Sequence, residues 1–436
     1  MKKVLEKRWL IDILFLMVIA IIVCLPLFNS HVNVYSEDGI ETFGKSYGTY
    51  TSIKKNGFFS KSIITSFANN FGYSFELFSG NLSTYLLILG FLAINNWIIT
   101  YKILSCLMIF LSGFFMYRFI KKYSKNEDIA LLSGILYMIF PYHLSTLYMR
   151  NNFGELLTFV FLPICFLGIY DLLNGKRTYD FVLGMCLLRF TNNVIFWATL
   201  VCMVMILIAF FDKVRRKDVR KILLINILFI ILITSIYWIP RIETINSGNF
   251  YVEKIAKEKL LTDKTNIGLK FLQIFVSPDG SYSLWEIGPY MIIMLAFSYF
   301  AYKNMEQSKF RKNYIVFLVL GIVSTLLSTR YFIWKYLPKT FLFLKPWQLS
   351  EFTGFFFCIV SSINMYVVIK KFNLKDVIII SCISILYMAF FVKFIPYSDS
   401  IKNISEYELG HISGKEDEYV SGIRIFILFD RKCWEK

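Results

Sequence analysis

Long apolar runs dominate the chain, and short polar, mostly basic segments punctuate them. The first run covers residues 10–28, and about ten more follow it. A run of roughly 18 or more apolar residues is long enough to cross the hydrocarbon core of a bilayer as a helix. The pattern predicts an all-α, polytopic helical membrane protein. A basic stretch precedes the first run, as in a secretory signal. However, the run is about 19 residues long and has no small-x-small cleavage pattern, so it reads as an uncleaved first span.

Clusters of Lys and Arg mark the cytoplasmic ends of spans. Lys2, Lys3, Lys7 and Arg8 place the N-terminus inside, and the polar stretch 29–81 is a long external loop. The apolar run 82–94 is too short for a comfortable crossing. The next run, 97–119, leads to Arg118, Lys121, Lys122 and Lys125, which lie inside only if 82–94 does not cross. That run is therefore predicted to be a re-entrant or interfacial helix on the outer face. Spans then alternate at about 128–147 and 156–173, followed by a helical hairpin over about 180–211 that turns outside at 189–193. Further spans lie at about 222–239, 288–302, 314–329, 351–369 and 377–394. The result is about eleven transmembrane helices, with the N-terminus cytoplasmic and the C-terminus external. Residues 1–396 read as one transmembrane domain and 397–436 as an external tail. No linker, low-complexity tract or internal repeat interrupts the chain.

Composition supports this picture and removes some alternatives. Apolar residues make up 56% of the chain, and the formal net charge is +17. In a soluble protein such a charge would suggest nucleic acid; here the basic residues sit between apolar runs and serve topology, with no nucleic-acid-binding motif beside them. Seven of the eight cysteines lie inside apolar segments without a CxxC pair, and His31, His143 and His411 are far apart. Neither a disulfide framework nor a zinc site is implied. Charge inside the spans is sparse, which gives a proton relay or ion pathway little support.

The long external loops carry the candidate chemistry. Glu37, Asp38 and Glu41 follow the first span. They are either solvated loop residues, a general base partly desolvated at the membrane surface, or oxygen ligands for a divalent cation. The segment Tyr148-Met149-Arg150-Asn151-Asn152-Phe153-Gly154-Glu155 forms a short external turn. Arg150 and Glu155 there either pair with each other or form a phosphate site, with Arg150 gripping the phosphate and Glu155 orienting it. The third external loop carries Arg330, Lys335, Lys339 and Lys345 among Tyr331, Phe332, Trp334, Tyr336 and Trp347. Aromatic belts are ordinary at interfaces, but external cations among them suit an anionic lipid headgroup.

Several segments, in order, resemble a family of bacterial multi-span proteins. They are Asn70-Phe71-Gly72-Tyr73-Ser74-Phe75-Glu76-Leu77-Phe78, then Pro141-Tyr142-His143-Leu144 leading to Arg150-Asn151-Asn152-Phe153-Gly154-Glu155 and Phe161-Leu162-Pro163. After these come Tyr237-Trp238-Ile239-Pro240 running into Glu243, Ser328-Thr329 before Trp334, Pro346-Trp347, and Glu418-Tyr419. Together they resemble the 6-pyruvoyl-tetrahydropterin synthase-related membrane proteins, akin to YfhO-like proteins, to about residue 420. A pterin synthase would need a histidine-rich zinc site and a compact catalytic domain, and this sequence offers neither. The resemblance instead implies a GT-C-like fold, that of membrane glycosyltransferases which take a sugar from a polyprenyl-phosphate carrier on the outer face. Asp38 matches the first-loop acid of that pattern, and Arg150 and Glu155 match the second-turn motif. Three positions depart from it. Ile40-Glu41-Thr42 stands where a His often follows the acid, Ser79-Gly80-Asn81-Leu82 replaces a common Pro-Pro-Leu, and Gln348 follows Pro-Trp where Arg is usual. Relatives often continue into an external globular domain, so the tail reads as a truncated one.

The resemblance implies an inverting glycosyltransferase of the cell membrane. Asp38 and Glu155 would be catalytic, while Arg150, Arg330 and Lys345 would hold the donor phosphate. The partners would be a polyprenyl-phosphate-linked sugar, a cell-envelope polymer or lipid acceptor and membrane lipid, with no nucleic acid. The metal question stays open, and a divalent cation is the cofactor to test for. The alternatives are a transporter or flippase for a lipid-linked saccharide and, because of the three departures, a degenerate non-catalytic membrane partner.

Overall fold

The computed structural model describes residues 2–29, 37–57, 80–247, 287–305, 308–329, 331 and 346–371. The elements, in chain order, are α1 (Lys2–Cys24), α2 (Glu37–Asn56), α3 (Leu82–Ile94), α4 (Trp97–Ser124), α5 (Glu127–Met138) and α6 (Pro141–Ser145). A π-helical turn (Thr146–Arg150) leads to α7 (Phe153–Leu173), α8 (Asp180–Thr191), α9 (Asn193–Ala209), α10 (Phe211–Val214) and α11 (Lys217–Ser247). Next are α12 (Pro289–Ala296), α13 (Ser298–Asn304) and α14 (Ser308–Ser328), and a short 3-10 turn (Pro346–Leu349) opens α15 (Ser350–Lys371). The described residues are helical, with no extended strand among them, as the apolar pattern requires.

Among the described residues seven stretches are long and apolar enough to cross a membrane: Arg8–Phe28, Trp97–Ser124, Glu127–Arg150, Phe153–Leu173, Lys217–Pro240, Phe310–Ser328 and Pro346–Lys371. The expected hairpin over 180–211 and the expected span over 288–302 take a different form. Helices α8 and α9 are 12 and 17 residues long and meet at Asn192. At 1.5 Å per residue, α8 reaches about 18 Å, well short of the roughly 30 Å hydrocarbon core. Asn192 ends α8 in extended backbone and caps α9, accepting from Val194 N and Ile195 N. The second is split at Phe297 into α12 and α13. The expected last span at 377–394 and the tail at 397–436 lie outside the described residues.

Helix α7 runs through the middle of the bundle, with 94% of its apolar window buried against 22% for α11. Lipid tails are as apolar as leucine, so helices in a bilayer associate through close packing and interhelical hydrogen bonds. Small residues permit that packing between α7 and α8. A Cβ built on Gly168 would lie 2.1 Å from Phe181 N, and one on Gly184 would lie 2.8 Å from Cys165 N. The obstacles are backbone atoms, which cannot rotate away. Gly168→Val is expected to push α8 off α7 and to destabilise the protein by about 1–3 kcal/mol or more, read as a lower unfolding temperature in detergent.

Two polar clusters mark opposite ends of the bundle. At one end Arg8 pairs with Glu127 (3.1 Å) and Asp128, Lys121 with Glu127 (2.7 Å), Arg118 with Asp180 (3.3 Å) and Lys122 with the buried Asp171. These cations include those read as cytoplasmic markers. At the other end Tyr148 donates to the Val23 carbonyl and Lys102 to the Asn29 carbonyl (3.3 Å). Helix α3 belongs to this second end throughout. Its first turn places Ser83 beside Gly154, and its last residues stack Phe91 on Trp97 at the start of α4 (4.1 Å). A 13-residue helix with both ends at one face of the bundle lies along that face, as a re-entrant or interfacial element does.

Candidate functional site

The segment 141–155 builds the site by local chain geometry. Pro141 starts α6, where its missing N–H costs nothing. The chain then widens into the π-helical turn, a form common at functional sites. Asn151 stops it in the left-handed region (φ 49°), which an asparagine tolerates, and its side chain donates to the Leu147 carbonyl (3.0 Å). Asn152 then caps α7, its Oδ1 accepting from Glu155 N at 3.0 Å. A capping Asn with Glu three residues on is a capping-box spacing. Here the Glu155 carboxylate turns to Arg150 instead. The spacing of Arg150 and Glu155 thus folds one charge back onto the other across a turn.

The segment that follows the first span supplies the third charge. Residues 37–56 form α2 rather than irregular loop, and its aromatic residues hold it down. Phe43 meets Tyr101 (5.5 Å), Tyr47 meets Trp97 (6.4 Å) and Tyr50 meets both Phe91 (5.3 Å) and Trp97 (6.1 Å). Asp38 lies in the first turn of α2 and so reaches the Arg150 turn. Its Oδ2 accepts from Arg150 at 2.6 Å and from Asn152 Nδ2 at 3.4 Å. Its other oxygen has no partner among the described residues. Glu41, one turn on, is exposed.

Arg150 is the hub. One terminal nitrogen donates to Glu155 Oε2 and to the Tyr142 hydroxyl (3.2 Å), and the other pairs with Asp38. The Tyr142 hydroxyl in turn donates to Glu155 Oε1. The guanidinium lies over the Trp347 ring at 4.2 Å, and Trp347 is also near Tyr142 (6.5 Å). Exposure grades across the cluster: the Glu155 side chain is 0% exposed, Arg150 13% and Asp38 25%. Asp38 is the member that faces out.

The structure therefore brings together Asp38, Arg150 and Glu155, which the sequence placed on one face. Arg330 and Lys345 lie outside the described residues. Tyr142 and Trp347 were visible only as pieces of motifs, and nothing in their spacing tied them to Arg150. A third carboxyl, the buried Glu351, was missed. Its signal was a lone acid at the start of an apolar span, and ionisable residues inside a membrane are costly enough to merit attention. For a divalent cation the described residues offer no group of three or more His, Cys, Asp and Glu side chains. Asp38 and Glu155 both point at Arg150, so this set does not fit a metal centre.

With the geometry in hand, comparison with known proteins places the chain. The family model described as 6-pyruvoyl-tetrahydropterin synthase related domain, membrane protein, matches residues 78–396. The chain belongs to this family. A Lactococcus lactis subsp. cremoris (strain MG1363) protein, described only as uncharacterized, is 25% identical over 195 residues, which are 42% of this chain and 32% of that protein. The cryo-EM structure of the arabinofuranosyltransferase AftD from Mycobacteria superposes with a TM-score of 0.54 at 12% identity, over 91% of this chain and 28% of AftD. The chain thus shares a polytopic helical fold with AftD, and it spans about a third or less of the length of either relative.

Proposed function

We propose that the protein is a GT-C-type glycosyltransferase. It moves a sugar from a polyprenyl-phosphate donor to a cell-envelope acceptor at the external membrane face. The observation that carries this reading is the Asp38–Arg150–Glu155 cluster, at the end of the bundle opposite the cytoplasmic-type cations, on a fold shared with a glycosyltransferase. Asp38 is the general base that takes the proton of the acceptor hydroxyl. Arg150 meets the phosphate, with Arg330 and Lys345 as further phosphate contacts. Negative charge grows on the phosphate as the glycosidic bond breaks, and a fixed guanidinium favours that transition state.

The pairing seen between Asp38 and Arg150 fits this order of events. Glu155 and Tyr142 hold one edge of the guanidinium, and Trp347 supports its face, so Arg150 has a fixed pose. Asp38 makes a single, part-exposed contact at the other edge. A phosphate arriving there replaces Asp38 on Arg150 and leaves a free carboxylate beside the donor. Donor binding and activation of the base are then one step.

The test is reconstitution of the full chain in vesicles with a labelled polyprenyl-phosphate sugar in both leaflets and an envelope lipid acceptor. Label transferred covalently to the acceptor supports the enzyme. Movement of intact donor between leaflets without transfer supports the flippase alternative instead, and neither activity supports a non-catalytic partner.

A further inference from the structure

Glu351 stands in the first turn of α15, 0% exposed, and among the described residues neither carboxyl oxygen has a hydrogen-bond partner. Buried polar atoms left without partners are rare in proteins and call for an unseen water, ion or proton. Its surroundings sharpen the point. Thr158 of α7 stands beside the carboxyl, but its hydroxyl already donates to the Glu155 carbonyl at 2.6 Å. A hydroxyl has one proton, so it can serve the Glu155 carbonyl or the Glu351 carboxyl but not both at once. The nearby charges are Glu155 and Arg150, and the guanidinium is already shared between Glu155 and Asp38. One guanidinium thus faces three carboxyl groups, two of them fully buried.

Other polar groups stand near Glu351. Tyr137 of α5 is close enough to Glu351 for their charges to couple; it is 0% exposed, and among the described residues its hydroxyl oxygen has no partner. His143, 5.8 Å from the Tyr137 ring, stacks on Phe159 at 3.9 Å, and Nδ1 meets the Tyr137 carbonyl while Nε2 has no partner among the described residues. Among the described residues, Tyr142 of α6 and Cys358 of α15 are the remaining titratable groups in range of Glu351 or Tyr137. The N-terminus of α15 lends positive potential, but no backbone N–H donates to the carboxyl. A buried carboxylate with no committed cation is expensive, and oxygen atoms are the donors that hard cations prefer.

We propose that Glu351 is a buried monocation site, holding one positive charge, as a proton or an alkali ion, against the Thr158 and Tyr137 oxygens. The two occupants exchange without net charge: the carboxylic acid plus sodium gives the sodium carboxylate plus a proton. This site stands apart from sugar transfer and would hold in a flippase or an inactive partner as well.

A hydrophobic carbodiimide separates the two occupants. It adds to a protonated carboxyl in an apolar setting, where the acid proton moves to nitrogen, oxygen bonds to carbon, and rearrangement leaves a stable acylurea. The full-length protein in detergent is treated with dicyclohexylcarbodiimide in choline chloride or sodium chloride at equal ionic strength. The peptide bearing residue 351 is then weighed, and unfolding temperature is measured in the same buffers. Labelling of Glu351 in choline shows the proton. Slowing of that labelling by about tenfold at sodium ten times its Kd, or a sodium-specific rise in unfolding temperature, shows the alkali ion. E351Q should lose both responses. No labelling in choline together with no sodium effect on stability overturns the proposal, as does a sodium response that survives in E351Q.

Discussion

Arg150→Leu is expected to lower stability by about 3–5 kcal/mol, the range for removing one partner of a buried ion pair. The loss does not come mainly from the missing attraction. It comes from Glu155, which is 0% exposed and would be left as a buried charge with Tyr142 as its remaining donor. The lost stacking on Trp347 adds to it. The cause can be separated from the site's chemistry. Arg150→Leu combined with Glu155→Leu removes both charges, and apolar replacement of a whole buried pair is often close to neutral, so the double variant should recover most of the loss. Arg150→Lys keeps the charge but gives up the planar fork that reaches Glu155 and Asp38 at once, and it should fall between the two. Thermal unfolding of the four proteins in one detergent, arranged as a double-mutant cycle, reads these values.

Asp38→Asn is expected to slow sugar transfer by about 10²–10⁴-fold, the usual contribution of a positioned general base. An amide of the same shape can keep the contact with Asn152 but cannot accept the proton of an acceptor hydroxyl. Stability should change by no more than about 1 kcal/mol, because the Asp38–Arg150 pair is part-exposed on the Asp38 side. The contrast with Arg150→Leu is the informative part. One variant should fail in chemistry while folding normally, and the other should fail in folding. Initial rates with saturating donor, normalised to folded protein, measure the first. Near wild-type transfer by Asp38→Asn would remove Asp38 from the base role.

Much of this was legible in the sequence because membranes impose simple rules. Apolar length set the spans at Trp97–Ser124, Phe153–Leu173 and Pro346–Lys371, and cation clusters set which ends lie together. The short run 82–94 was expected from length and charge together to be an element that does not cross, and it forms a separate 13-residue helix. Other features were hidden for physical reasons. Helix α2 is amphipathic, with mixed glycine, threonine and lysine, and it forms against the aromatic residues Phe91, Trp97 and Tyr101, so its stability comes from contacts distant in sequence. The turn at 189–193 was legible and the helices meet there at Asn192, but the apolar pattern did not show that they are only 12 and 17 residues long.

The site shows the same division. Arg150 and Glu155 were legible because a local turn joins them, and Asp38 because it follows a span at the same face. Their convergence on a single guanidinium was not, since it depends on where α2 docks. Trp347 looked like a belt residue because a tryptophan at a membrane edge needs no further explanation. Its position under Arg150 follows from the packing of α15, which no spacing reveals. Glu351 was passed over for the opposite reason, as one acid in a long apolar segment.

The most direct measurement of the central claim is where the donor phosphate binds. A polyprenyl-phosphate analogue with a photoreactive group at the phosphate end can be crosslinked to the full-length protein in vesicles and the modified peptides mapped. Crosslinks are expected on the turn carrying Tyr148 to Glu155 and on Trp347, competed by unlabelled polyprenyl phosphate and lost in Arg150→Lys. Crosslinks confined to lipid-facing positions such as Leu228, Leu232 and Ile236, and unaffected by that substitution, would contradict it.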